Sequence, residues 1–95
     1  MKSDIIELIP TGEGKRITSA ELSKLTNING STIRHIVNKS RANFVPIASD
    51  DKGYFIAETP DEIDRTIAQL NSRIHKMIQA REGLKKAKKL MKEGN

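Results

Sequence analysis

The sequence predicts a mainly α-helical chain with one small β-hairpin, finished by a long C-terminal helix. Three observations predict it. Apolar clusters at three-four spacing recur behind cap-type residues, and two strand-like runs flank a glycine-containing loop. From Thr59 onward, no strong helix breaker except Gly83 intervenes until Gly94.

Taken in order, Ser3 and Asp4 are cap-type residues ahead of Ile5, Ile6, Leu8 and Ile9. Pro10 forbids extension, so the first helix is about two turns long. Thr11 to Lys15 holds two glycines and reads as a loop, and Arg16-Ile17-Thr18 leaves room for a very short strand. Thr18 or Ser19 caps a helix through Leu25, with Glu21 or Leu22 at the depth where a capping box closes. Thr26 to Gly30 is turn chemistry around a lone apolar Ile28. Ser31 is the N-cap expected for a helix from Thr32 to about Arg41, whose Ile33, Ile36 and Val37 share one buried face. Phe44 to Ala48 and Tyr54 to Ala57 are strand-like, joined by a five-residue loop, Ser49 to Gly53. Pro46 cannot donate to a ladder, which places the first strand at an edge.

Thr59-Pro60-Asp61-Glu62 opens the last helix with a cap, a proline in the first turn and acids favoured by the helix dipole. A helix of roughly 30 residues is about 45 Å long, more than a body of about 60 residues covers. Ile63, Ile67, Leu70, Ile74 and Met77 alternate four and three apart and continue at Leu84 and Met91, with Arg81 and Lys88 interrupting. Such a stripe packs either on its own subunit or on a partner. A homodimer is the simplest closed solution for the part that outruns the body, and its seam is expected at Ile67, Leu70, Ile74, Met77, Leu84 and Met91.

Ninety-five residues suffice for one small core. The expected division is a compact unit over residues 1–58 and the long helix, with its lysine-rich end, over 59–95. With only Phe44, Tyr54 and Phe55 as aromatics, the core must be mostly Ile, Leu and Val. No run of about 18 apolar residues exists to span a membrane. Glu7 and Pro10 break the only N-terminal apolar cluster, which is no signal peptide. There are no cysteines, hence no disulfides or thiolate metal sites, and the expected location is the cytoplasm.

The net charge of +5 is unevenly placed. Gly12 to Ala48 carries six Lys/Arg against two acids, Ser49 to Asp64 one Lys against six acids, and Leu84 to Asn95 five lysines against one glutamate. Two basic regions around an acidic one suit contact with a polyanion on two surfaces. A lysine-rich end also serves simply to keep a small protein in solution.

Leu22, Ile28, Ile33 and Ile36 stand where a helix-turn-helix needs its small shared core: one on the first helix, one plugging the turn, two on the second. With the hairpin that follows, Ser3 to Glu58 resembles the winged helix-turn-helix family. In that resemblance Ser19–Leu25 is the supporting helix, Ser31–Arg41 the recognition helix and Phe44–Ala57 the wing. The long last helix looks like the dimerising helix that many such proteins append. The GYFIA strand followed by TPDEIDRTIAQLNSRI is similar to small winged-helix proteins of bacteriophages and prophages. Ser23 stands where the family often has a small residue such as alanine, and Asn27 where glycine often opens the turn. Asp50 and Asp51 at the wing tip would repel phosphates, with Lys52 alone opposing them.

With Ile33, Ile36 and Val37 turned inward, the exposed arc of the recognition helix is Ser31, Thr32, Arg34, His35, Asn38 and Arg41. Arg bridges the two acceptors of guanine and Asn pairs with adenine. Ser31, Thr32 and the free amides at the helix start suit a phosphate. Lys39, Arg41, Lys15, Arg16 and Lys52 are candidate backbone contacts. The function expected is sequence-specific binding of double-stranded DNA by a dimeric small transcriptional regulator. The alternative is a winged-helix protein-docking module, such as a phage antirepressor or replication adaptor, that binds a protein partner through its acidic wing.

An enzyme is not expected. His35 and His75 lie on different helices without a carboxylate pair at metal-ligand spacing, and Gly12-Glu13-Gly14 lacks the context of a phosphate-binding loop. No catalytic, metal or cofactor residues are assigned.

Overall fold

The computed structural model describes residues 2–94. The chain runs α1 (Lys2–Leu8), a 3-10 turn (Glu13–Lys15), α2 (Ser19–Thr26), α3 (Gly30–Ala42), β1 (Ile47–Asp50), β2 (Gly53–Ile56) and α4 (Pro60–Glu93). It is mainly helical, with a single two-stranded antiparallel hairpin and a long last helix.

The core is built as the scarcity of aromatics requires. Ile5 and Ile9 from the first segment, Leu22 from α2, Ile33, Ile36 and Val37 from α3 and Ile47 from β1 form one buried cluster. Ile17, Ile28 and Tyr54 pack against it from the rim. α2 is fixed at both ends, by side chains at its start and by the backbone at its end. Thr18 caps α2 in a reciprocal box: the Glu21 N–H donates to Thr18 Oγ1 at 3.0 Å, and the Thr18 N–H donates to Glu21 Oε1 at 2.9 Å. The Thr18 backbone N–H first, and the Thr18 hydroxyl second, hold the Glu21 carboxyl below its ordinary range. Asn27 ends the helix in the left-handed conformation, φ 62°.

Three local expectations are corrected. The N-cap of α3 is Asn29, whose Oδ1 accepts from the Thr32 N–H at 2.9 Å, and not Ser31. Asn27 turns the chain so sharply that α3 begins two residues early, leaving Ser31 inside its first turn. Second, Phe44 to Pro46 are not strand. They close the end of α3, with the Phe44 N–H donating to Arg41 O and the Val45 N–H to Ser40 O, the paired bonds of a Schellman motif. Phe44 holds the left-handed position, φ 72°, where glycine is usual. Third, the hairpin loop is Asp51-Lys52 alone, since the register pairs Ile47 with Ile56 and Asp50 with Gly53. Asp50 Oδ1 accepts from the Lys52 N–H at 2.9 Å, and Gly53 follows at φ 136°. A Cβ at Gly53 would lie 2.5 Å from the Ile17 carbonyl oxygen, so glycine is required there twice over.

Both edges of the small sheet are covered. Ile17 bridges Tyr54 through bonds of 3.0 and 2.8 Å, which is the very short strand the sequence allows, and Thr11 bridges Ile56. On the other side, β1 lies against α4. Thr59 and Glu62 form a second capping box, and Glu62 and Thr66 are buried with their polar atoms satisfied. Beyond Leu70 every described residue of α4 is exposed. The radius of gyration, 17.4 Å, exceeds the about 12 Å of a compact chain of this length because that half of the helix projects.

Candidate nucleic-acid interface

The amphipathic spacing of α3 buries Ile33, Ile36 and Val37 and leaves Ser31, Thr32, Arg34, His35, Asn38 and Lys39 exposed. None of these six side chains makes a hydrogen bond or ion pair among the described residues. No acid stands on this face. The turn residues set its aim: Asn27 in the left-handed conformation and the Asn29 cap fix where α3 starts relative to α2.

Two arginines expected to contact phosphates are used internally. Arg41 is half-buried; its Nε donates to the Ile47 carbonyl at 2.8 Å and its Nη2 to Ser49 Oγ at 3.0 Å, tying α3 to β1. Arg16 donates from Nε to Asp50 Oδ2 at 2.6 Å, reaches Glu13 at 3.3 Å, and lies 5.5 Å from the centroid of the Phe55 ring. The hydrogen bond to Asp50 raises the Arg16 guanidinium further above its ordinary value. Lys15 and Lys52 are exposed, as the phosphate-contact reading needs.

The partnership with Arg16 also changes the hairpin tip. Burial pushes the Asp50 carboxyl up, but the hydrogen bonds from Arg16 and from the Lys52 N–H outweigh it and hold it below the usual carboxylate range. Asp50 is therefore satisfied from within, and the tip presents one acid, Asp51, beside one base, Lys52.

α3, the hairpin and α4 enclose a groove of about 270 Å³ whose cations are Arg34, Arg41, Lys52 and Arg73. Arg73 was not among the expected site residues. It stands two turns past Thr66, on the face of α4 that meets β1. The sequence shows that spacing but not which face of α4 meets the hairpin.

The expected dimer seam divides into two parts. Leu70 is half-buried on its own subunit and Ile67 is partly covered; Ile74, Met77, Leu84 and Met91 are all more than half exposed. Ile78 and Leu90 add exposed apolar surface outside the heptad positions. At the base of this face Phe44, Val45, Pro46, Ile63, Ile67 and Leu70 line an apolar groove of about 320 Å³, with Phe44 93% exposed.

Among the described residues no group of three or more His, Cys, Asp or Glu side chains is placed to hold a metal ion. No helix among them is long and apolar enough to cross a membrane. No protein-family model matches this chain, and no curated protein and no solved structure matches it.

Proposed function

We propose that the chain is a winged helix-turn-helix protein that binds double-stranded DNA as a homodimer and acts as a small transcriptional regulator. In this reading α2 supports, α3 enters the major groove, and the hairpin is a short wing. The observation that carries it is the outer face of α3: Ser31, Thr32, Arg34, His35, Asn38 and Lys39 together, exposed, free of acids and with no internal partner. A merely solvated helix face has no reason to exclude carboxylates over its whole length. Arg34 and Asn38, one turn apart, carry the two side-chain types that read guanine and adenine edges.

The wing is small in this assignment. With Asp50 held by Arg16 and only Asp51 and Lys52 at the tip, it orients the domain more than it binds phosphate. The projecting half of α4 supports the dimer, because Ile74, Met77, Ile78 and Leu84 are left in solvent by their own subunit. Two copies joined there would present two α3 helices to a two-fold site, with half-sites about 34–36 Å apart or a multiple of that.

The test is binding of the full chain to a random-sequence duplex pool, titrated from low to physiological salt, with enriched sequences read out. Salt-sensitive binding that enriches a palindrome is expected. Binding without enrichment removes the base-reading role of α3. No binding at low salt removes the DNA reading and directs the search to a protein partner of the acidic segment.

A further inference from the structure

The arginines of this protein fall into two groups. Arg16, Arg65 and Arg81 are committed to carboxylates: Arg16 to Asp50 and Glu13, Arg65 to Glu13 at 2.9 Å and to Asp61, and Arg81 to Glu82 at 2.9 Å. Arg34, Arg41 and Arg73 make no ion pair among the described residues, yet all three line the same groove between α3, the hairpin and α4. Of the two acids on its wall, Asp50 is engaged by Arg16, and Asp51 sits in the two-residue loop beside Lys52.

Arg41 is the fixed member. Its guanidinium is held by neutral acceptors only, the Ile47 carbonyl and the Ser49 hydroxyl, and these leave other N–H donors of its fork unused. Burial disfavours its charged form, Tyr54 opposes that, and the charge of Arg73 adds to it. An arginine does not relieve this by losing its proton, so an incoming negative charge is favoured here. Arg34 and Arg73 approach from the two long helices and make no bond that an incoming ligand would have to break. A planar fork with free donors is the group best matched to a phosphate oxygen pair.

We propose that this groove is an oxyanion site for a phosphodiester, with Arg41 as its fixed floor and Arg34 and Arg73 closing on the bound group. This rests on the DNA reading for its source: the phosphate is one on the backbone flanking the bases that α3 faces. Arg73 then makes α4 part of the nucleic-acid surface as well as the dimer element. Its contact is to the backbone, so it adds affinity without base preference.

Two probes separate the site from its source. The full chain, labelled at the arginine Nε positions, is titrated with inorganic phosphate and with a random-sequence duplex. Duplex affinity is then followed against salt for the wild type, Arg73→Ala and Arg81→Ala; Arg81 serves as an equal charge loss farther along α4. Expected are shifts of the Arg41 and Arg73 Nε signals with the duplex. Arg73→Ala should flatten the slope of log affinity against log salt by about one and weaken all sequences alike, while Arg81→Ala should leave the slope unchanged. If the duplex does not bind but phosphate shifts the same two signals, and Arg73→Ala abolishes that shift, the site stands with a free phosphate as its ligand and the DNA reading falls. The proposal is overturned if neither probe moves these signals. It is also overturned if the duplex binds and Arg73→Ala matches wild type or Arg81→Ala.

Discussion

The backbone N–H of Ser49 donates to the hydroxyl of Thr66 at 3.1 Å, so the free edge of β1 is tied to α4 by a buried side chain. The hydroxyl can turn its own hydrogen to the Glu62 carbonyl at 3.3 Å, which satisfies both groups. This contact lies on the face of α4 that meets the hairpin, and Arg73, two turns on, shares that face.

Thr66→Val keeps the shape and removes the acceptor. The Ser49 N–H is then left unsatisfied in a part-buried place, which costs about 1–3 kcal/mol. Urea denaturation should show a lower midpoint with an unchanged slope. An unchanged midpoint would mean that the bond contributes nothing to holding α4 on the body.

Acid should loosen the same region. Arg65 holds the Glu13 carboxyl below its ordinary range, chiefly through a hydrogen bond that outweighs the opposing effect of burial. Asp50 is likewise depressed on balance, so both carboxylates contribute stability that is present above their unfolded values, about 4. That contribution is lost as the pH falls below about 4 through the depressed folded values. Both groups are partly exposed, so the neutral-pH effect is modest. Asp50→Asn should flatten the fall in melting temperature on going from pH 5 to pH 2; a curve parallel to wild type would remove the Arg16–Asp50 pair from the acid response.

Phe44 combines two unfavourable features: a left-handed backbone and an aromatic ring almost wholly in solvent. Phe44→Gly removes a strain of about 1–2 kcal/mol, offset in part by the greater freedom of glycine in the unfolded chain. Dilute protein should therefore be as stable as wild type or more so. If the groove beside Phe44 is the base of a dimer seam, the same variant should self-associate less by sedimentation equilibrium. A destabilised variant would mean that the ring is supporting its own subunit, and unchanged self-association would place the seam elsewhere.

Arg34→Ala should lower affinity for an enriched duplex by about 1–3 kcal/mol and relax base preference at one position per half-site. Loss of affinity that is equal on enriched and scrambled duplexes would instead make Arg34 a backbone contact.

Much of the scaffold could be read before any coordinates. A cap at Thr18 or Ser19, a cap at Thr59 and the buried face of Ile33, Ile36 and Val37 follow from cap chemistry and helical periodicity, whereas the reciprocal box that Thr59 forms with Glu62 was not read. The start of α3 was less legible, because Asn29 and Ser31 are both good caps and the choice between them depends on Asn27 adopting the left-handed turn. Phe44-Val45-Pro46 has the composition of a strand, but closing α3 and starting the hairpin use up those residues. Arginines were the hardest to sort. Arg16, Arg34, Arg41 and Arg73 look alike in a sequence, and only tertiary placement separates two that are bonded internally from two that are not.

α4 is continuous from its first turn, where Glu62 is buried, past Thr66 and Arg73, to the apolar residues it holds out in solvent. A continuous rod transmits rotation. In the dimeric reading, whatever grips its far end also sets the angle at which Arg73 meets α3, so self-association and anion binding bias one shared geometry. By linkage, the factor by which self-association changes anion affinity is the factor by which anion binding changes self-association, and duplex occupancy by a dimer should rise more steeply than in proportion to protein concentration.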